Sequence, residues 1–487
     1  MNNKSIRNLQ PQEIWNYFVD LNAVPRPSKK EEKVRAFIKK FGKSLGLDTQ
    51  EDETGNVLIK KPATQGFENR KKVVLQSHLD MVCQKNNDVN FDFETQGIQM
   101  TADGDWIHAL GTTLGADNGI GVATIMTILA SKTVEHPDIE ALFTIDEETG
   151  MTGAFGLKQG FLSGDFLLNL DTEEDDEIDI GCAGGVDVTA IADYNEIFVP
   201  ADFQTYSLTV KGLHGGHSGM EIHKGLGNSN KLLNRFLYKF LDNNILLTSF
   251  DGGGLRNAIP REAQSVFSIP KEKSQDVETK FSTLKEEITA EFASIEENLK
   301  IELVSVEKSE KSLNQEYTQK FVSALQAAHN GVYRMSPDIE DLVEASNNIA
   351  RVELKAGVAK ILCLTRSSVE SSKFWVADSL KAAFELGGMK TTYSGSYPGW
   401  KPNPEAEILR IAESIYERQN GKKPLVMACH AGLECGIIGE KYPKMEMISF
   451  GPTIKGAHSP KEKVSISSVL KFWSYLQEIL KNIPERG

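Results

Sequence analysis

The chain has 487 residues, of which 40% are hydrophobic and 25% are charged, and its net charge at pH 7 is −14. A chain of this length exceeds what one hydrophobic core usually organises, so we expect at least two domains. The acidic balance disfavours nucleic acid as a partner, because no basic cluster is available to replace the counterions of phosphates.

The first residues of the chain and its cysteines indicate the cellular compartment of the protein. Residues 1–10 are polar and lack the apolar segment of a secretory signal, and no run of about 18 apolar residues predicts a membrane span. The five cysteines are scattered, and no pair has the spacing of a zinc finger. We therefore predict a cytoplasmic protein with reduced thiols and no membrane partner.

Helices and strands alternate over residues 1–190. Amphipathic helices are predicted at 11–21 and 31–45, the second beginning after a Ser28 cap. Strands are predicted at 55–60, 71–76, 139–145 and 166–170, with helical segments at 120–130 and 153–158. This alternation predicts an α/β domain with a largely parallel, covered sheet, in which ligands bind just beyond the strand ends.

The pattern changes over residues 191–395. The predicted order between 206 and 306 is strand, helix, strand, strand, helix, strand, which is typical of a ferredoxin-like α+β unit. A second set of elements follows between 315 and 394, and Asn257 and Asn348 fall at similar places in the two sets, which indicates a duplication. Because α/β character returns over 396–487, residues 191–395 are predicted to be inserted into one α/β domain.

Three consecutive carboxylates, Asp146, Glu147 and Glu148, end a hydrophobic run that should be buried. An acidic triplet on a surface would simply be solvated, and that alternative is common. Buried carboxylates instead require a cation, a proton or hydrogen-bond donors. We interpret the triplet as part of a metal site in which Glu148 is a ligand and Glu147 is a base.

Further polar residues follow other predicted strands. His78 and Asp80 lie two apart, so both side chains lean to one side, and Asp80 can accept a hydrogen bond from the ring nitrogen of His78 that does not bind metal. The remaining candidate ligands are Asp117 in a glycine turn, Asp171 at a strand end and His458 in a late loop. Histidines and carboxylates suit zinc, cobalt or manganese. Their number favours a two-metal site with Asp117 as the bridge.

Each of these residues also has an ordinary structural explanation. Asp117 could cap the following helix, and Asp171 begins an acidic stretch that could be a surface loop. His78 and His458 could be ordinary core or loop histidines. Only the joint arrangement favours a metal site.

Five segments, taken in order and with their spacing, carry a resemblance to a known family. They are Ser77-His78-Leu79-Asp80, Gly115-Ala116-Asp117-Asn118-Gly119, Asp146-Glu147-Glu148-Thr149-Gly150, Asn169-Leu170-Asp171-Thr172 and Gly456-Ala457-His458-Ser459. The chain resembles the M20 metallopeptidases almost end to end, and within them the bacterial aminoacyl-histidine dipeptidases. The resemblance implies a catalytic α/β domain of the phosphorylase/hydrolase-like, zinc-peptidase type, with residues 191–395 as a lid of two ferredoxin-like halves.

The resemblance also implies roles for the candidate residues. His78, Asp117 and Asp171 would hold one Zn²⁺, and Asp117, Glu148 and His458 the other, with Co²⁺ or Mn²⁺ as substitutes. Glu147 would be the general base and Asp80 would orient His78. Substrate would contact His217, Asn257, Arg366 and Glu434, with His214, His223 and His430 as weaker candidates. A cis peptide bond is expected at Asp117–Asn118.

The inserted region is about twice as long as in simple family members, where a partner chain supplies the lid histidine. The second half of the insert could take the partner's place, so that His217 acts within its own chain. A homodimer is still possible. The implied function is hydrolysis of dipeptides, favouring Xaa-His and including β-alanyl-histidine, by a metal-bound hydroxide. The alternatives are a deacylase, a tripeptide aminopeptidase, or a non-catalytic homologue that binds metal or peptide. Two-metal phosphoryl transfer is a further alternative, but no basic cluster near these segments would hold a phosphate.

Overall fold

The computed structural model describes residues 3–86 and 88–487. Its helices are α1 (Asn3–Ile6), α2 (Gln12–Asn22), α3 (Glu32–Ser44), α4 (Ala116–Ala130), α5 (Thr152–Gly156), α6 (Ser229–Phe240), α7 (Ser274–Glu291), α8 (Gln315–Ala327), α9 (Glu370–Leu386), α10 (Glu407–Asn420), α11 (Glu434–Lys441) and α12 (Ile466–Lys481). Short 3-10 helices lie at Ile222–Lys224, Leu241–Asn243 and Lys271–Lys273.

The strands of the first part of the chain are β1 (Asp48–Glu51), β2 (Val57–Lys61), β3 (Val73–His78), β4 (Met100–Asp103), β5 (Trp106–Ala109), β6 (Ile139–Thr144), β7 (Phe166–Asn169), β8 (Glu177–Cys182), β9 (Gly184–Asp193), β10 (Glu196–Phe198), β11 (Phe203–Lys211) and β12 (Gly216–His217). Those that follow are β13 (Leu246–Gly253), β14 (Ala258–Ile259), β15 (Ala263–Pro270), β16 (Lys300–Val306), β17 (Lys311–Leu313), β18 (Gly331–Met335), β19 (Val343–Lys355), β20 (Val358–Ser367), β21 (Lys390–Tyr397), β22 (Leu425–Cys429), β23 (Glu446–Ser449), β24 (Ile454–Lys455) and β25 (Lys463–Ser465).

The chain divides into two compact units. Unit 1 comprises Met1–Gly181, Pro402–Ala428 and Leu433–Gly487, and unit 2 comprises Cys182–Lys401 and Cys429–Gly432. The boundaries expected after residues 190 and 395 fall inside β9 and β21, which pair with each other and therefore stay in one unit. The return of Cys429–Gly432 to unit 2 was not predicted.

Unit 1 is built on an eight-stranded sheet in the order β1-β2-β6-β3-β7-β23-β8-β22. The central strands β6, β3, β7 and β23 are parallel, whereas β1 pairs antiparallel with β2, β2 with β6, and β8 with β23. Every residue of β3, β6 and β7 is buried, as expected for strands that are covered on both faces. The predicted α/β class is confirmed, with a mixed sheet whose central strands are parallel.

Helices α2 and α4 of unit 1 pack against each other through apolar side chains. Trp15 and Phe18 of α2 share a buried cluster with Ile120 and Ala123 of α4. The predicted Ser28 cap of α3 is wrong, because Glu31 occupies the N-cap position without a side-chain bond. The hydroxyl of Ser28 instead donates to Oδ2 of the buried Asp80 at 2.7 Å.

Unit 2 contains a sheet in the order β16-β11-β15-β13-β19-β20-β9-β21, with β18 pairing β19. All of these neighbours are antiparallel. The strand order divides into two sets of four, β16-β11-β15-β13 and β19-β20-β9-β21. The second set includes β9, which precedes the first set in the chain and was not predicted. Its opening glycines, Gly184 and Gly185, weaken the strand signal.

Across the described residues, no helix combines the length and the apolar character that crossing a bilayer would require.

Candidate functional site

The parallel strands of unit 1 deliver most of the candidate ligands to one edge of the sheet. His78 is the last residue of β3, and β6 ends at Thr144, just before the acidic triplet. β7 ends shortly before Asp171. Because these strands are parallel neighbours, their carboxyl ends meet, which is where open α/β sheets bind ligands.

A glycine turn before α4 delivers Asp117. Gly115 has a φ of +69°, in the left-handed region that favours glycine. The peptide bond Asp117–Asn118 is cis, which confirms the prediction. The Asn118 amide donates to the carbonyl oxygen of Leu170 at 2.6 Å, so the turn is tied to the segment that carries Asp171.

The candidate ligands form two groups that share Asp117. In the first group, Nε2 of His78 lies 3.0 Å from Asp117 Oδ1 and 3.4 Å from Asp171 Oδ1. In the second group, Nε2 of His458 lies 3.1 Å from Asp117 Oδ2 and 3.0 Å from Glu148 Oε2. Within each group the donor atoms all lie within 4.8 Å of one another.

Two oxygen atoms of these groups are buried without any hydrogen-bond partner in the described part of the chain, Asp171 Oδ1 and Glu148 Oε1. A buried carboxylate oxygen without a donor is costly unless a cation meets it. Nitrogen and carboxylate ligands are those that zinc, cobalt and manganese accept. The two groups therefore fit a pair of divalent cations, with one carboxylate, Asp117, available to both.

The electrostatics of the metal-free protein agree with this fit. Burial lowers the pKa of His78, but Asp171, Asp117 and Asp80 outweigh burial and raise it well above the ordinary value. Hydrogen bonds to Asp117 and Glu148 raise the pKa of His458 to about 11. Protons on the two histidines thus neutralise the carboxylates, and a bound divalent cation would replace those protons.

Asp80 links His78 to the acidic triplet. Its Oδ1 lies 3.4 Å from Nδ1 of His78, on the side of the ring away from the candidate metal. The backbone N–H groups of Glu147 and Glu148 donate to its two oxygens at 3.0 and 3.2 Å. Burial raises the pKa of Asp80, but His78 and the donated hydrogen bonds lower it below the ordinary value. Asp80 is placed to orient both His78 and the triplet.

Glu147 lies beside the ligand groups and has no side-chain hydrogen bond within residues 3–86 and 88–487. Burial raises its pKa well above the ordinary value. The positive charge of His78 opposes this rise, while Asp171, Glu434 and Glu148 add to it. A carboxyl group in this environment can hold a proton near neutral pH, as a general base and acid must.

Glu434 lies under this site rather than on an open surface. Its Oε2 accepts hydrogen bonds from Gln76 at 2.7 Å and from Thr144 at 2.6 Å, on β3 and β6. Burial, together with Asp171 and Asp80, raises its pKa to about 8. Its Oε1 has no partner among the described residues.

Glu173 was not predicted, because the acidic stretch that begins at Asp171 could also be a surface loop. Burial and the charges of Asp117 and Asp171 raise the pKa of Glu173 to about 8. Its carboxylate is therefore close enough to Asp117 and Asp171 to interact electrostatically with both. Its place two residues after a strand-end ligand is the signal that could have identified it.

The other predicted substrate residues lie in unit 2. His217 on β12 pairs with Ala258 on β14, and the N–H of Ser218 donates to the carbonyl oxygen of Asn257 at 2.7 Å. Arg366 is buried at the end of β20, and its Nη1 donates to the hydroxyl of Tyr397 at 2.9 Å.

His217 has a defined proton position. Its Nδ1 accepts hydrogen bonds from the N–H groups of Gly219 at 3.2 Å and Met220 at 3.1 Å, so a neutral ring carries its proton on Nε2. Burial and the charge of Arg366 lower its pKa, which favours the neutral ring. His217 can therefore donate a hydrogen bond through Nε2 near neutral pH.

His430 belongs to unit 2 and not to the α/β domain in which the sequence analysis placed it. Its Nε2 lies 2.8 Å from the hydroxyl of Ser346. Burial, Arg366 and His217 lower its pKa to about 3, so it is neutral at physiological pH. His214, by contrast, is bound to Glu296 through Nδ1 at 3.0 Å and has a structural partner.

The fold and the histidine–carboxylate cluster define a class of protein, an α/β chain with a centre suited to two divalent cations. The sequence profile of peptidase family M20/M25/M40 matches residues 74–482. The cytosol non-specific dipeptidase of Escherichia coli is 45% identical over 479 residues, which cover 98% of this chain and 99% of the relative.

Solved structures agree with this match. The aminoacylhistidine dipeptidase of Vibrio alginolyticus has a TM-score of 0.94 and 46% identity, with 99% of each chain covered. A tripeptidase from Staphylococcus aureus has a TM-score of 0.57 and 16% identity, covers 98% of this chain and 99% of its own, and shows a shared fold alone. The chain belongs to peptidase family M20/M25/M40, as the resemblance predicted, and is a peptidase.

Proposed function

We propose that this chain is a dipeptidase that works with two divalent metal ions, Zn²⁺ by preference, at the cluster of unit 1. The observation that carries this proposal is the pair of ligand groups sharing Asp117, with buried oxygens that lack a donor in the described residues. His78, Asp117 and Asp171 would hold one ion, and Asp117, Glu148 and His458 the other. Bound divalent ions would polarise the scissile carbonyl and lower the pKa of the attacking water.

The chain's own residues would then move the proton. Glu147 would accept it from the attacking water and donate it to the amine that leaves. The absence of a hydrogen bond to its side chain in the described residues leaves this carboxylate free for both steps. Asp80 would keep the His78 ring oriented through Nδ1, which leaves Nε2 for the metal.

The residues of unit 2 support a substrate with a free carboxylate. Arg366, His217 and His430 lie close enough for Arg366 to lower the pKa of both histidines, and such a cationic group suits an anion. Arg366 would hold the carboxylate, and Asn257 would contribute a further polar contact. His217 would donate to the carbonyl oxygen of the scissile bond, while Glu434 would act only from beneath the metal site.

We place Xaa-His dipeptides, including β-alanyl-histidine, among the favoured substrates. The similarity to the aminoacylhistidine dipeptidase of Vibrio alginolyticus supports this choice. The Escherichia coli relative is called a non-specific dipeptidase, so dipeptides of other sequence are also expected to be cleaved. A deacylase or a tripeptide aminopeptidase remains the alternative, and hydrolysis rates for β-alanyl-histidine, an N-acetyl amino acid and a tripeptide would separate the three.

Two finer structural expectations also belong to this proposal. The orders β16-β11-β15-β13 and β19-β20-β9-β21 are each compatible with a ferredoxin-like half, the second assembled around β9. With two such halves in one chain, His217 would act within its own chain, whether or not the protein is a homodimer. A cytoplasmic location agrees with the name of the Escherichia coli relative.

The decisive experiment separates the base from the ligands. Glu147→Ala should lower kcat for β-alanyl-histidine by about 10²- to 10⁴-fold, because a general base is lost, while the Zn²⁺ content stays at the wild-type value. Glu174→Ala is the matched control, since Glu174 follows in the next acidic segment but forms an exposed pair with Lys455. An unchanged rate in Glu147→Ala would remove Glu147 from the mechanism.

A further inference from the structure

Arg26 is a fully buried arginine that binds the backbone of two ligand-bearing segments. Its Nη1 donates to the carbonyl oxygens of Leu79 and Asp80, both at 3.2 Å, directly after His78. Its Nη2 donates to the carbonyl oxygen of Gly115 at 2.5 Å, two residues before Asp117. One planar guanidinium thus fixes the separation between the end of β3 and the glycine turn.

The glycines of this turn leave space for the guanidinium of Arg26. A Cβ atom on Gly115 would lie 2.4 Å from Nη2 of Arg26, and one on Gly119 would lie 2.7 Å from the same atom. Neither contact is possible without moving the guanidinium. The glycine-rich segment therefore serves the close approach of Arg26 as well as the left-handed turn.

Glu462 connects the same turn to the loop that carries His458. The loop joins β24 to β25, and Glu462 lies at its far end. The Glu462 carboxylate accepts hydrogen bonds from four consecutive N–H groups: Leu114 at 2.7 Å and Gly115 at 3.0 Å through Oε2, and Ala116 at 2.7 Å and Asp117 at 3.3 Å through Oε1. Such a row of N–H groups is a binding site for an anion, and here the anion is a side chain.

Both buried charges carry a desolvation cost that their backbone hydrogen bonds must offset. Taking a carboxylate and a guanidinium out of water costs free energy, and apolar replacements of buried ion pairs are often neutral or stabilising. Each group here is bound by backbone groups that lie at, or within three residues of, His78 or Asp117. The contacts of Arg26 and Glu462 together span the segments of His78, Asp117 and His458.

We propose that Arg26 and Glu462 are positioning residues that hold the two metal-ligand groups in register. Glu462 sets the approach of His458 to Asp117, and Arg26 sets the approach of His78 to Asp117. Neither residue touches a metal ion or the substrate. This inference rests on the proposed metal centre and extends it to two residues outside the ligand set.

The test measures Zn²⁺ affinity directly, by competition with a chromophoric chelator. Glu462→Gln keeps the size of the side chain but places an amide among the N–H donors. We expect its Zn²⁺ affinity to fall by about 10- to 100-fold, the range seen when a group that orients a metal ligand is lost. Its activity should recover as the Zn²⁺ concentration rises, which a defect in folding would not produce.

Glu140→Gln is the matched control in the same unit. Glu140 is also buried, and its Oε2 accepts from the N–H groups of Ser163 at 2.7 Å and Gly164 at 3.1 Å, none of which adjoins a candidate ligand. Both variants should lower the melting temperature of the metal-free protein. The Zn²⁺ affinity of Glu140→Gln should stay within about twofold of the wild type.

The outcomes are distinguishable. Unchanged Zn²⁺ affinity in Glu462→Gln, or an equal loss in Glu140→Gln, overturns the positioning role. If Glu462→Gln does not fold, Glu462→Asp and Arg26→Lys decide the question, because both keep the charge but shorten its reach, and each should weaken Zn²⁺ binding about tenfold. A wild-type chain that binds no Zn²⁺ would instead refute the proposed metal centre itself.

Discussion

The two units each gather histidines around charged groups, but with opposite electrostatic results. In unit 1, His78 and His458 face carboxylates, which raise the pKa of both rings. In unit 2, His217 and His430 face Arg366, which lowers the pKa of both rings, in addition to burial. The histidines of unit 1 are thus set in a place that attracts cations, and those of unit 2 in a place that attracts an anion.

This difference matches the two tasks of the proposed dipeptidase, which are to bind metal cations and to bind the carboxylate of the substrate. A cation site needs anionic ligands that lie close together although they repel one another. Asp117 and Glu148 are such a pair, and a bound ion would offset their repulsion. A carboxylate site needs a fixed positive charge with neutral hydrogen-bond donors beside it, which Arg366 and the neutral His217 would provide in the proposed function. The histidine is the same residue in both, and its neighbours decide its role.

The largest expected effect comes from removing the shared ligand of unit 1. Asp117→Asn loses the charge common to both ligand groups, so kcat/KM for β-alanyl-histidine should fall by at least about 10⁴-fold. Bound Zn²⁺, measured by elemental analysis, should fall below the wild-type content. Asp105→Asn is the control, because Asp105 accepts hydrogen bonds from Ser465 and Ser467 at the start of α12, away from the ligand groups. Retention of full activity by Asp117→Asn would contradict the shared-ligand arrangement.

An intermediate effect is expected from unit 2. Arg366→Met removes the charge proposed to hold the substrate carboxylate, so kcat/KM for a dipeptide should fall by about 30- to 1,000-fold, equivalent to about 2–4 kcal/mol. Most of the change should appear in KM. The variant should lose preference for a dipeptide over its C-terminal amide, because the amide never made the ion pair.

A partly exposed arginine of the same unit provides the control for this measurement. Arg351 on β19 pairs with the exposed Asp251 on β13, and Arg351→Met should leave both kinetic constants within about twofold of the wild type. If Arg366→Met discriminates between the acid and the amide as well as the wild type does, the carboxylate lies elsewhere.

Much of the candidate site in unit 1 was predictable because most of its candidate ligands lie at or just beyond strand ends. His78 and Asp171 stand at or just beyond the ends of buried apolar strands, and Asp117 stands in a glycine turn, so spacing alone indicates a common edge of the sheet. The resemblance then assigned roles. The Asp117–Asn118 cis bond and the α/β class were predicted in this way and are confirmed.

Other features of the structure could not be predicted from the sequence, because they depend on contacts between residues far apart in the chain. Arg26 and Glu462 bind backbone groups, which every residue possesses, so no residue pattern marks their partners. β9 completes a strand set whose other members follow much later in the chain, and its pairing with β20 and β21 depends on tertiary structure. Ser28 matched a capping pattern, but the buried Asp80 competes for its hydroxyl.

The smallest expected effect concerns a buried carboxylate of unit 1 that lies outside the ligand groups. Burial raises the pKa of Asp179 from the ordinary 3.8 to about 6, although the Thr172 hydroxyl donates to its Oδ2 at 2.8 Å and opposes the rise. The folded state therefore binds its proton more tightly than the unfolded state. The contribution of this group to stability is complete below about pH 4 and is lost as the pH rises through 6.

Asp179→Asn should accordingly stabilise the metal-free protein at pH 7 by up to about 3 kcal/mol, and the gain should vanish near pH 4. Denaturant unfolding at several pH values would measure it, with Asp103→Asn on the exposed end of β4 as the control. A destabilised Asp179→Asn at pH 7 would mean that Asp179, like the ligands of unit 1, is held beside a cation. A stabilised variant would show that burial in unit 1 penalises a carboxylate unless a histidine or a metal ion stands next to it.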